Sequence, residues 1–234
     1  MADITPAILE KNLNEIKNKL TILRERVKRV HIDICDGVAV PNQTWPFTSG
    51  GFEDADFSKI INEEEGFPFW PDFDFEFDLM VEDAVENFDT YMKLGPKSMI
   101  FHLMAQKNVE GFENFLEGID MYIRENVEFG LAFRPSDDLT VVSRLSSKVD
   151  FLHAMGSDKV GFQGEGVTFD EKALENIKFL KKDLPGVVIS VDIGVNLDNA
   201  DMILDAGTDR LAIGSGIWKS GDPIGTLQTL QTLV

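Results

Sequence analysis

The chain alternates short apolar runs with segments in which apolar residues recur every three or four positions. Eight of the runs have the length and composition of β-strands. Several of them are continuously apolar, which is typical of strands covered on both faces. The predicted strands are residues 4–9, 30–35, 73–80, 98–104, 128–133, 149–155, 187–193 and 210–214.

Helical spacing separates most of these strands, over residues 12–27, 84–94, 109–125, 170–182 and 199–206. Regular alternation of strand and helix predicts the α/β class with a parallel sheet, and eight repeats favour closure into a (β/α)8 TIM barrel. The main alternative is an open doubly wound sheet. No GxGxxG motif follows the first strand, so the barrel is favoured.

The connection between the second and third predicted strands is unusually long. Residues 38–72 are rich in Gly, Pro, Phe and Trp, and a loop of this length is usually functional or contains a helix, for which residues 57–65 are suited. The aromatic-containing segments 43–45 and 67–70 suggest either a lid over a pocket or a plug at one barrel end. No repeat or linker divides the chain. We therefore expect one domain over residues 1–234, with an insertion at about 38–72.

Composition excludes several classes of partner. The net charge of −19 disfavours nucleic acid and anionic lipid surfaces, although backbone N–H groups can still bind a small anion. A single cysteine, Cys35, leaves no disulfide framework and no cysteine-based zinc cluster. The sequence shows neither a signal-like amino terminus nor an apolar stretch near the ~20 residues that span a bilayer. We expect a soluble, cytoplasmic protein with no membrane partner.

Ionisable residues fall near the ends of three predicted strands, where the active site of a barrel lies. His31 and Asp33 share one face of the second strand, Asp78 lies near the end of the third, and Asp192 ends the seventh. Each alone is more often a cap or a hydrogen-bonded core residue. Burying several carboxylates together is costly unless protons or a cation compensate, so the set favours a divalent metal.

Glycine-containing loops follow the last three predicted strands. They are VGFQGEG (160–166), IGVN (193–196) and IGSG (213–216). Glycine leaves backbone N–H groups unobstructed, and the loops after the seventh and eighth strands are the habitual phosphate site of this architecture. Glycine also serves plain turns, but the position of these loops after late strands predicts a phosphate site.

The ordered motifs resemble the ribulose-phosphate 3-epimerase family. HIDICDGVAVPN resembles the family's HVDVMDGxFVPN, FDLMVED resembles its HLMxxNP segment, and GFQG resembles its GFGG loop. SVDIGVNLDNADMILDAGTDRLAIGSGIW resembles the block VDGGVN…AGAD…GSAIF. The resemblance covers nearly the whole chain in the same order, and its second-strand and late-strand motifs are the specific ones.

The resemblance implies a TIM barrel of the ribulose-phosphate-binding type and a metal-dependent sugar-phosphate epimerase. Such an enzyme interconverts D-ribulose 5-phosphate and D-xylulose 5-phosphate by two-base proton transfer at C3 through an enediolate. Carried over by position, Asp33 and Asp192 are the acid–base pair. The ligands of one divalent ion (Mn, Fe, Zn or Mg) become His31, Asp33, Asp78 and Asp192. The phosphorylated ketose contacts Gly161, Phe162, Gly164, Gly194, Gly214 and Ser215, with His102 and Met155 as further candidate contacts.

The sequence also departs from the family. Asp78 stands where the family has a third-strand histidine, and a set of three carboxylates and one imidazole favours Mn²⁺, Fe²⁺ or Mg²⁺ over Zn²⁺. Glu10 stands in the region of the family's first-strand serine, and Ile193 replaces a glycine. His153 is expected to be a core residue. The family often forms dimers or hexamers, so a homo-oligomer stays open.

Two other functions compete with the epimerase. Aldol lyases of the hexulose-6-phosphate synthase type and related decarboxylases carry DxKxxD on the third strand. Here Asp78 and Asp83 keep that spacing, but Met80 stands in place of the lysine. This argues strongly against decarboxylation and less strongly against a magnesium-dependent aldol reaction. The third interpretation is a catalytically inactive barrel used for binding.

Overall fold

Eight parallel strands close into a barrel in the computed structural model, which describes residues 2–47, 54–162 and 167–234. Each strand pairs with its neighbours in chain order, and the last pairs with the first. The observed strands are β1 (Asp3–Ile8), β2 (Arg29–Cys35), β3 (Asp74–Met80), β4 (Ser98–His102), β5 (Glu128–Phe133), β6 (Phe151–Met155), β7 (Val188–Asp192) and β8 (Arg210–Ile213). The predicted fold class is confirmed.

Helices pack around the outside of the barrel. In the described ranges they are α1 (Leu13–Leu23), α2 (Ala55–Ile61), α3 (Phe88–Met92), α4 (Val109–Gly118), α5 (Met121–Asn126), α6 (Leu139–Leu145), α7 (Glu171–Asp183), α8 (Ala200–Asp205), α9 (Ser215–Trp218) and α10 (Pro223–Gln231). Two 3₁₀ turns complete the set, at Leu103–Ala105 and Ser146–Lys148. None of the described helices combines the length and apolar character that crossing a bilayer requires.

Local capping explains where several helices begin and end. The side chain of Asn12 accepts a hydrogen bond from the backbone N–H of Glu15 and starts α1. The pattern over 109–125 forms two helices instead of the one expected, because Asp120 accepts from the backbone N–H of Tyr122 and caps a new helix. Helices α6 and α10 were not expected from the sequence.

The barrel has two apolar cores. The larger lies between the strands and the surrounding helices, where α1 buries Leu13, Ile16, Leu20 and Leu23. A smaller core fills the barrel interior and includes Met80, Ile100 and Met155. Because side chains alternate along a strand, the residues between the outward-facing ones point into this interior, and there the polar residues are concentrated.

Aromatic residues in the described part of the connection between β2 and β3 pack against the outside of the barrel. Helix α2 forms within this connection, slightly earlier than expected, because Asp54 caps its first turn. Trp45 is fully buried against Phe57 and Phe67, each with ring centroids 5.6 Å from it. Phe67 in turn contacts Phe75, an outward-facing residue of β3. These aromatic residues are therefore part of the outer core, and the lid and plug interpretations were wrong for them.

Candidate active site

A cavity opens at the carboxyl ends of the strands, lined by residues that lie near the end of, or just after, β1, β2, β3, β6, β7 and β8. Both predicted acid–base residues, Asp33 and Asp192, line it. So do five of the six residues predicted to contact phosphate, namely Gly161, Phe162, Gly194, Gly214 and Ser215. The sixth, Gly164, lies outside the described residues. The predicted catalytic and phosphate residues thus come together at one site.

Strand register sets the depth of each ionisable side chain. Asp33 on β2 lies opposite Asp78 on β3, and His31 lies opposite Glu76 two residues deeper. Asp192 on β7 lies opposite Met155 on β6. The carboxylates of Asp33 and Asp78 therefore share a level of the barrel, with an imidazole and a further carboxylate beneath them.

His31 is held with one ring nitrogen directed toward the carboxylates. Its Nδ1 lies 2.9 Å from Oε1 of Glu76, and because a carboxylate only accepts, Nδ1 carries the proton of this bond in the neutral ring. Nε2 then lies 3.2 Å from Oδ1 of Asp33 and 3.7 Å from Oδ2 of Asp78. A carboxylate behind a histidine is the arrangement that orients imidazole ligands toward metals.

Asp78 is held in a similar way by His102. Nε2 of His102 lies 2.6 Å from Oδ1 of Asp78, both side chains are buried, and Oδ2 has no hydrogen-bond partner among the described residues. One carboxylate oxygen is therefore fixed while the other is free to bind a ligand. His102 lies against Asp78, and its predicted contact with the substrate stays a prediction.

Four side chains bring donor atoms close enough to hold a metal ion. One atom each from His31, Asp78, His153 and Asp192 lies within 4.8 Å of all the others. Three of these are predicted ligands. His153 joins them, and the fourth predicted ligand, Asp33, lies beside the group. We call His31, Asp33, Asp78, His153 and Asp192 the mouth cluster.

Buried atoms without partners test whether a cation fits the mouth cluster. Within the described part of the chain, Nε2 of His31, Oδ2 of Asp78 and both ring nitrogens of His153 are buried and make no hydrogen bond. Buried polar atoms without partners are costly, and imidazole nitrogen and carboxylate oxygen are ordinary ligands of divalent metals. The residues present therefore fit one divalent ion.

Burial and mutual charge shift the pKa values of both cavity aspartates. Desolvation, with the nearby charge of Asp33, raises the pKa of Asp192 to about 7, although Asp192 keeps some contact with solvent in the cavity. Desolvation also raises the pKa of Asp33, partly offset by His31. Without metal, the two carboxyl groups therefore retain protons at a pH where an exposed aspartate is fully ionised.

The pKa values of three other buried groups are also shifted, by partners or by burial. Burial alone would lower the pKa of His31, but the carboxylates of Asp33, Asp78 and Glu76 outweigh it and raise the pKa well above 6.5. Burial alone would raise the pKa of Asp78, but His102 and His31 outweigh it and lower the pKa. For His153 burial is the largest influence, and it lowers the pKa to about 4.

Backbone conformation favours glycine at two positions in the loops. Gly161 and Gly194 have φ of +80° and +76°, in the left-handed region that favours glycine. A Cβ on Gly194 would also lie 2.9 Å from the backbone nitrogen of Phe169. The described residues lining the cavity include no lysine or arginine. Ile193 adopts φ +71°, an unusual conformation for a β-branched residue.

Other residues considered in the sequence occupy definite places. Met80 lines the cavity, whereas Asp83 accepts hydrogen bonds from the hydroxyl of Tyr91 at 3.0 Å and Nδ2 of Asn87 at 2.6 Å. Glu10 is ion-paired with Lys19 and is not among the described lining residues. Met155 is buried in the interior core, and its contact with substrate stays a prediction.

Comparisons of the sequence with known proteins all point to the same family. The model of the "Ribulose-phosphate 3 epimerase family" matches residues 3–218. The ribulose-phosphate 3-epimerase of Schizosaccharomyces pombe is 24% identical over 234 residues, covering 100% of this chain and 94% of that protein. That of Chlamydia muridarum is 28% identical over 197 residues, covering 81% of this chain and 76% of that protein.

Solved structures of similar fold share little sequence with the chain. The 3-hexulose-6-phosphate synthase of Salmonella typhimurium has a TM-score of 0.66 at 16% identity, covering 100% of this chain and 98% of that one. KGPDC from Streptococcus mutans has a TM-score of 0.65 at 14% identity, covering 100% of this chain and 97% of that one. At these identities the likeness supports the barrel fold alone.

Proposed function

The chain belongs to the ribulose-phosphate 3-epimerase family and is thus an isomerase, and from this premise we propose that it is a metal-dependent epimerase of D-ribulose 5-phosphate and D-xylulose 5-phosphate. One observation carries the proposal: Asp33 and Asp192 line the same cavity from strands β2 and β7. Epimerisation needs one group to remove the proton at C3 and another to return a proton on the opposite face.

The two aspartates have the properties that this exchange requires. They approach the cavity from strands that β1 and β8 separate, so they reach a bound ketose from different sides. In the metal-free site the pKa of Asp192 is raised to about 7, so a carboxyl group there can hold a proton near neutral pH. In the exchange, one of the two carboxyl groups carries a proton while the other is ionised. The ionised group takes the proton from C3, which leaves an enediolate, and the protonated group supplies the proton to the other face.

His31, Asp33, Asp78 and Asp192 would hold the divalent ion, which when bound supplies Lewis-acid stabilisation of the negative charge that develops on the substrate oxygens. The residues of the chain position those donors. Glu76 holds His31 through its Nδ1, and His102 holds Asp78 through one carboxylate oxygen. Both contacts reduce the rearrangement that the donors need.

The phosphate of the ketose is proposed to bind backbone N–H groups at Gly161, Gly194 and Ser215. These loops line the same cavity, and no lysine or arginine is among its described lining residues. Backbone binding suits a chain with a net charge of −19, because it needs no basic side chain. Holding the phosphate fixes which face of C3 each aspartate meets.

The geometry gives no support to the aldol alternative. Met80 lines the cavity where a lysine would act, and Asp83 is held by Tyr91 and Asn87 away from the lining residues. The inactive-barrel alternative predicts no use for the two cavity carboxyls. Cytoplasmic location, a single domain and homo-oligomerisation stay predictions.

Proton NMR of D-ribulose 5-phosphate incubated with metal-reconstituted protein in D₂O tests the proposal. We expect deuterium at C3 and the appearance of D-xylulose 5-phosphate. Asp33→Asn and Asp192→Asn should each slow conversion about 10²–10⁴-fold, because each removes one of the two proton-transfer groups. Asp83→Asn is the matched control: it alters a nearby aspartate outside the cavity and should keep activity within about twofold.

Two results would contradict the proposal. Absence of exchange with Mn²⁺, Fe²⁺, Zn²⁺ and Mg²⁺ would exclude this substrate and favour another phosphorylated ketose or a binding role. Exchange without the epimer would indicate proton transfer at one face only, by a single base.

A further inference from the structure

We propose that His153 on strand β6 is a metal ligand in this chain. It would supply a second imidazole in place of the third-strand histidine that the resemblance implies and that is Asp78 here. The inference rests on the proposed metal dependence and goes beyond it, because the resemblance to the family places no ligand on β6. From the sequence, His153 was expected to be a core residue.

The position of His153 first sets it apart from an ordinary core histidine. It lies two residues before Met155 on β6 and therefore points into the barrel interior. It is fully buried, and neither Nδ1 nor Nε2 has a hydrogen-bond partner among the described residues. A structural histidine in a core normally satisfies at least one ring nitrogen, so these two atoms require another explanation.

The surroundings of His153 supply that explanation. Its ring stacks on His31 with centroids 5.4 Å apart and planes 17° from parallel, so the two imidazole rings are close neighbours in nearly parallel planes. A donor atom of His153 also lies within 4.8 Å of donors from His31, Asp78 and Asp192. Ligands about 2.1 Å from one ion lie at most about 4.2 Å apart, so a slight contraction would close this site.

The substitution on β3 and the histidine on β6 compensate for each other. The resemblance implies a histidine at the position of Asp78, and here that position gives an oxygen donor with His102 fixing its other oxygen at 2.6 Å. With His153 included, the donor set again contains two imidazoles. Imidazole ligands suit Fe²⁺ and Zn²⁺, whereas Mg²⁺ prefers oxygen ligands. With His153 as a ligand, the site therefore suits Zn²⁺ as well.

The chain has only three histidines, which makes a direct test simple. Protein labelled with ¹⁵N-histidine is stripped of metal, and long-range ¹H–¹⁵N spectra are recorded with and without one equivalent of Zn²⁺. His153→Gln and His102→Gln assign the signals by removing one imidazole each. We expect ring nitrogens of His31 and His153 to move to metal-bound positions, while His102 keeps the pattern of a ring bonded to Asp78.

Affinity provides a second readout that does not depend on activity. His153→Gln should weaken Zn²⁺ binding about tenfold or more, since a ligand is lost. His102→Gln keeps an N–H donor for Asp78 and should weaken binding clearly less. Thermal unfolding of the metal-free variants checks that both are folded.

The outcomes separate this inference from the proposed function. Zn²⁺-dependent shifts at His31 with none at His153 would overturn the role of His153 and leave the metal site intact. No Zn²⁺-dependent shift at any histidine would overturn both this inference and the metal dependence on which it rests.

Discussion

Two groups of buried charge lie in one barrel and are neutralised in different ways. At the amino-terminal end of the strands, Arg29 and Arg210 face Glu76 and Glu128. We call these four residues the lower ion cluster. Oε2 of Glu128 lies 3.3 Å from Nη1 of Arg29 and 3.1 Å from Nη2 of Arg210. Oε2 of Glu76 lies 3.7 Å and 3.8 Å from the same two guanidinium groups. Two guanidinium groups thus face two glutamates, and Oδ2 of Asp3 also lies 3.9 Å from Nε of Arg29.

The mouth cluster has no such balance. It combines three carboxylates with two imidazoles, and several of its buried donor atoms have no partner among the residues that the structure describes. Glu76 joins the two groups, because its Oε1 accepts from His31 while its Oε2 faces the guanidinium groups. The two groups therefore differ in charge balance. The carboxylates of the lower ion cluster face guanidinium groups, although Oε2 of Glu76 and Nη1 of Arg210 make no hydrogen bond with a described residue, whereas the mouth cluster needs protons or a cation from outside to balance its carboxylates.

The largest effect on activity is expected from a substitution in the mouth cluster, at Asp192. Asp192→Asn should slow C3 proton exchange about 10²–10⁴-fold, as is typical when a general acid or base is lost. The unfolding free energy of the metal-free variant should equal or exceed that of the unaltered protein, because the amide removes a charge beside Asp33. Exchange rates and urea denaturation are measured on the same preparation. Loss of stability together with activity would show that Asp192 is a structural residue.

A change in the lower ion cluster should have the opposite character. Arg210→Met removes one of two cations facing Glu76 and Glu128, and breaking a largely buried pair costs about 3 kcal/mol of unfolding free energy. Arg144→Met removes an exposed partner of Glu113 and should cost under about 1 kcal/mol. Urea denaturation compares the two. Equal effects would contradict the distinction between the clusters.

The charge imbalance of the mouth cluster should also affect how stability depends on pH. His31 has a raised pKa in the folded protein, so its contribution is complete below 6.5 and is lost as pH rises through the folded value. Asp192, with its pKa raised to about 7, acts in the same direction between 3.8 and 7. His153, with its pKa lowered to about 4, acts oppositely, but only between 4 and 6.5.

Above pH 6.5 the metal-free protein should therefore lose stability, by up to about 1.4 kcal/mol per pH unit for each proton involved. Melting temperatures of EDTA-treated protein at about pH 6.5 and about pH 8 measure this loss. Addition of metal should stabilise the protein more at the higher pH, because deprotonated ligands bind metal better. A metal-free melting temperature that rises over this range would refute the account.

The smallest effect concerns the strained loop after β7. Ile193 has φ +71°, which costs a non-glycine residue about 1–2 kcal/mol. Ile193→Gly and Ile193→Ala both remove the side chain, but only glycine relieves the strain. The glycine variant should be the more stable by about 1 kcal/mol, the reverse of the usual order in regular structure. A more stable alanine variant would show that the backbone is not strained.

Much of the fold could be predicted because strand signals were local. Every predicted strand boundary lies within two residues of the observed one, since continuous apolar runs mark strands covered on both faces. Helices α6 and α10 were missed because their patterns are short, seven and nine residues. Trp45 and Phe67 were misplaced because sequence does not indicate which side of the barrel a connection covers.

The site was predictable where motifs carry position and less so where contacts cross strands. Asp33, Asp192 and the glycine loops follow strand ends and were placed in one cavity. His153 was expected to be a core residue, and it is fully buried; its approach to the donors of His31, Asp78 and Asp192 depends on contacts between strands. The bond between His102 and Asp78 joins residues 24 positions apart, and no local pattern predicts it.

Metal content after equilibrium dialysis tests the central claim most directly. Metal-stripped protein is dialysed against Mn²⁺ and then against buffer, and the ions retained per chain are counted beside an Asp78→Asn, Asp192→Asn double variant. The account predicts one ion per chain in the unaltered protein and a large reduction in the variant. Retention of no ion by the unaltered protein, or equal retention by both, would contradict it.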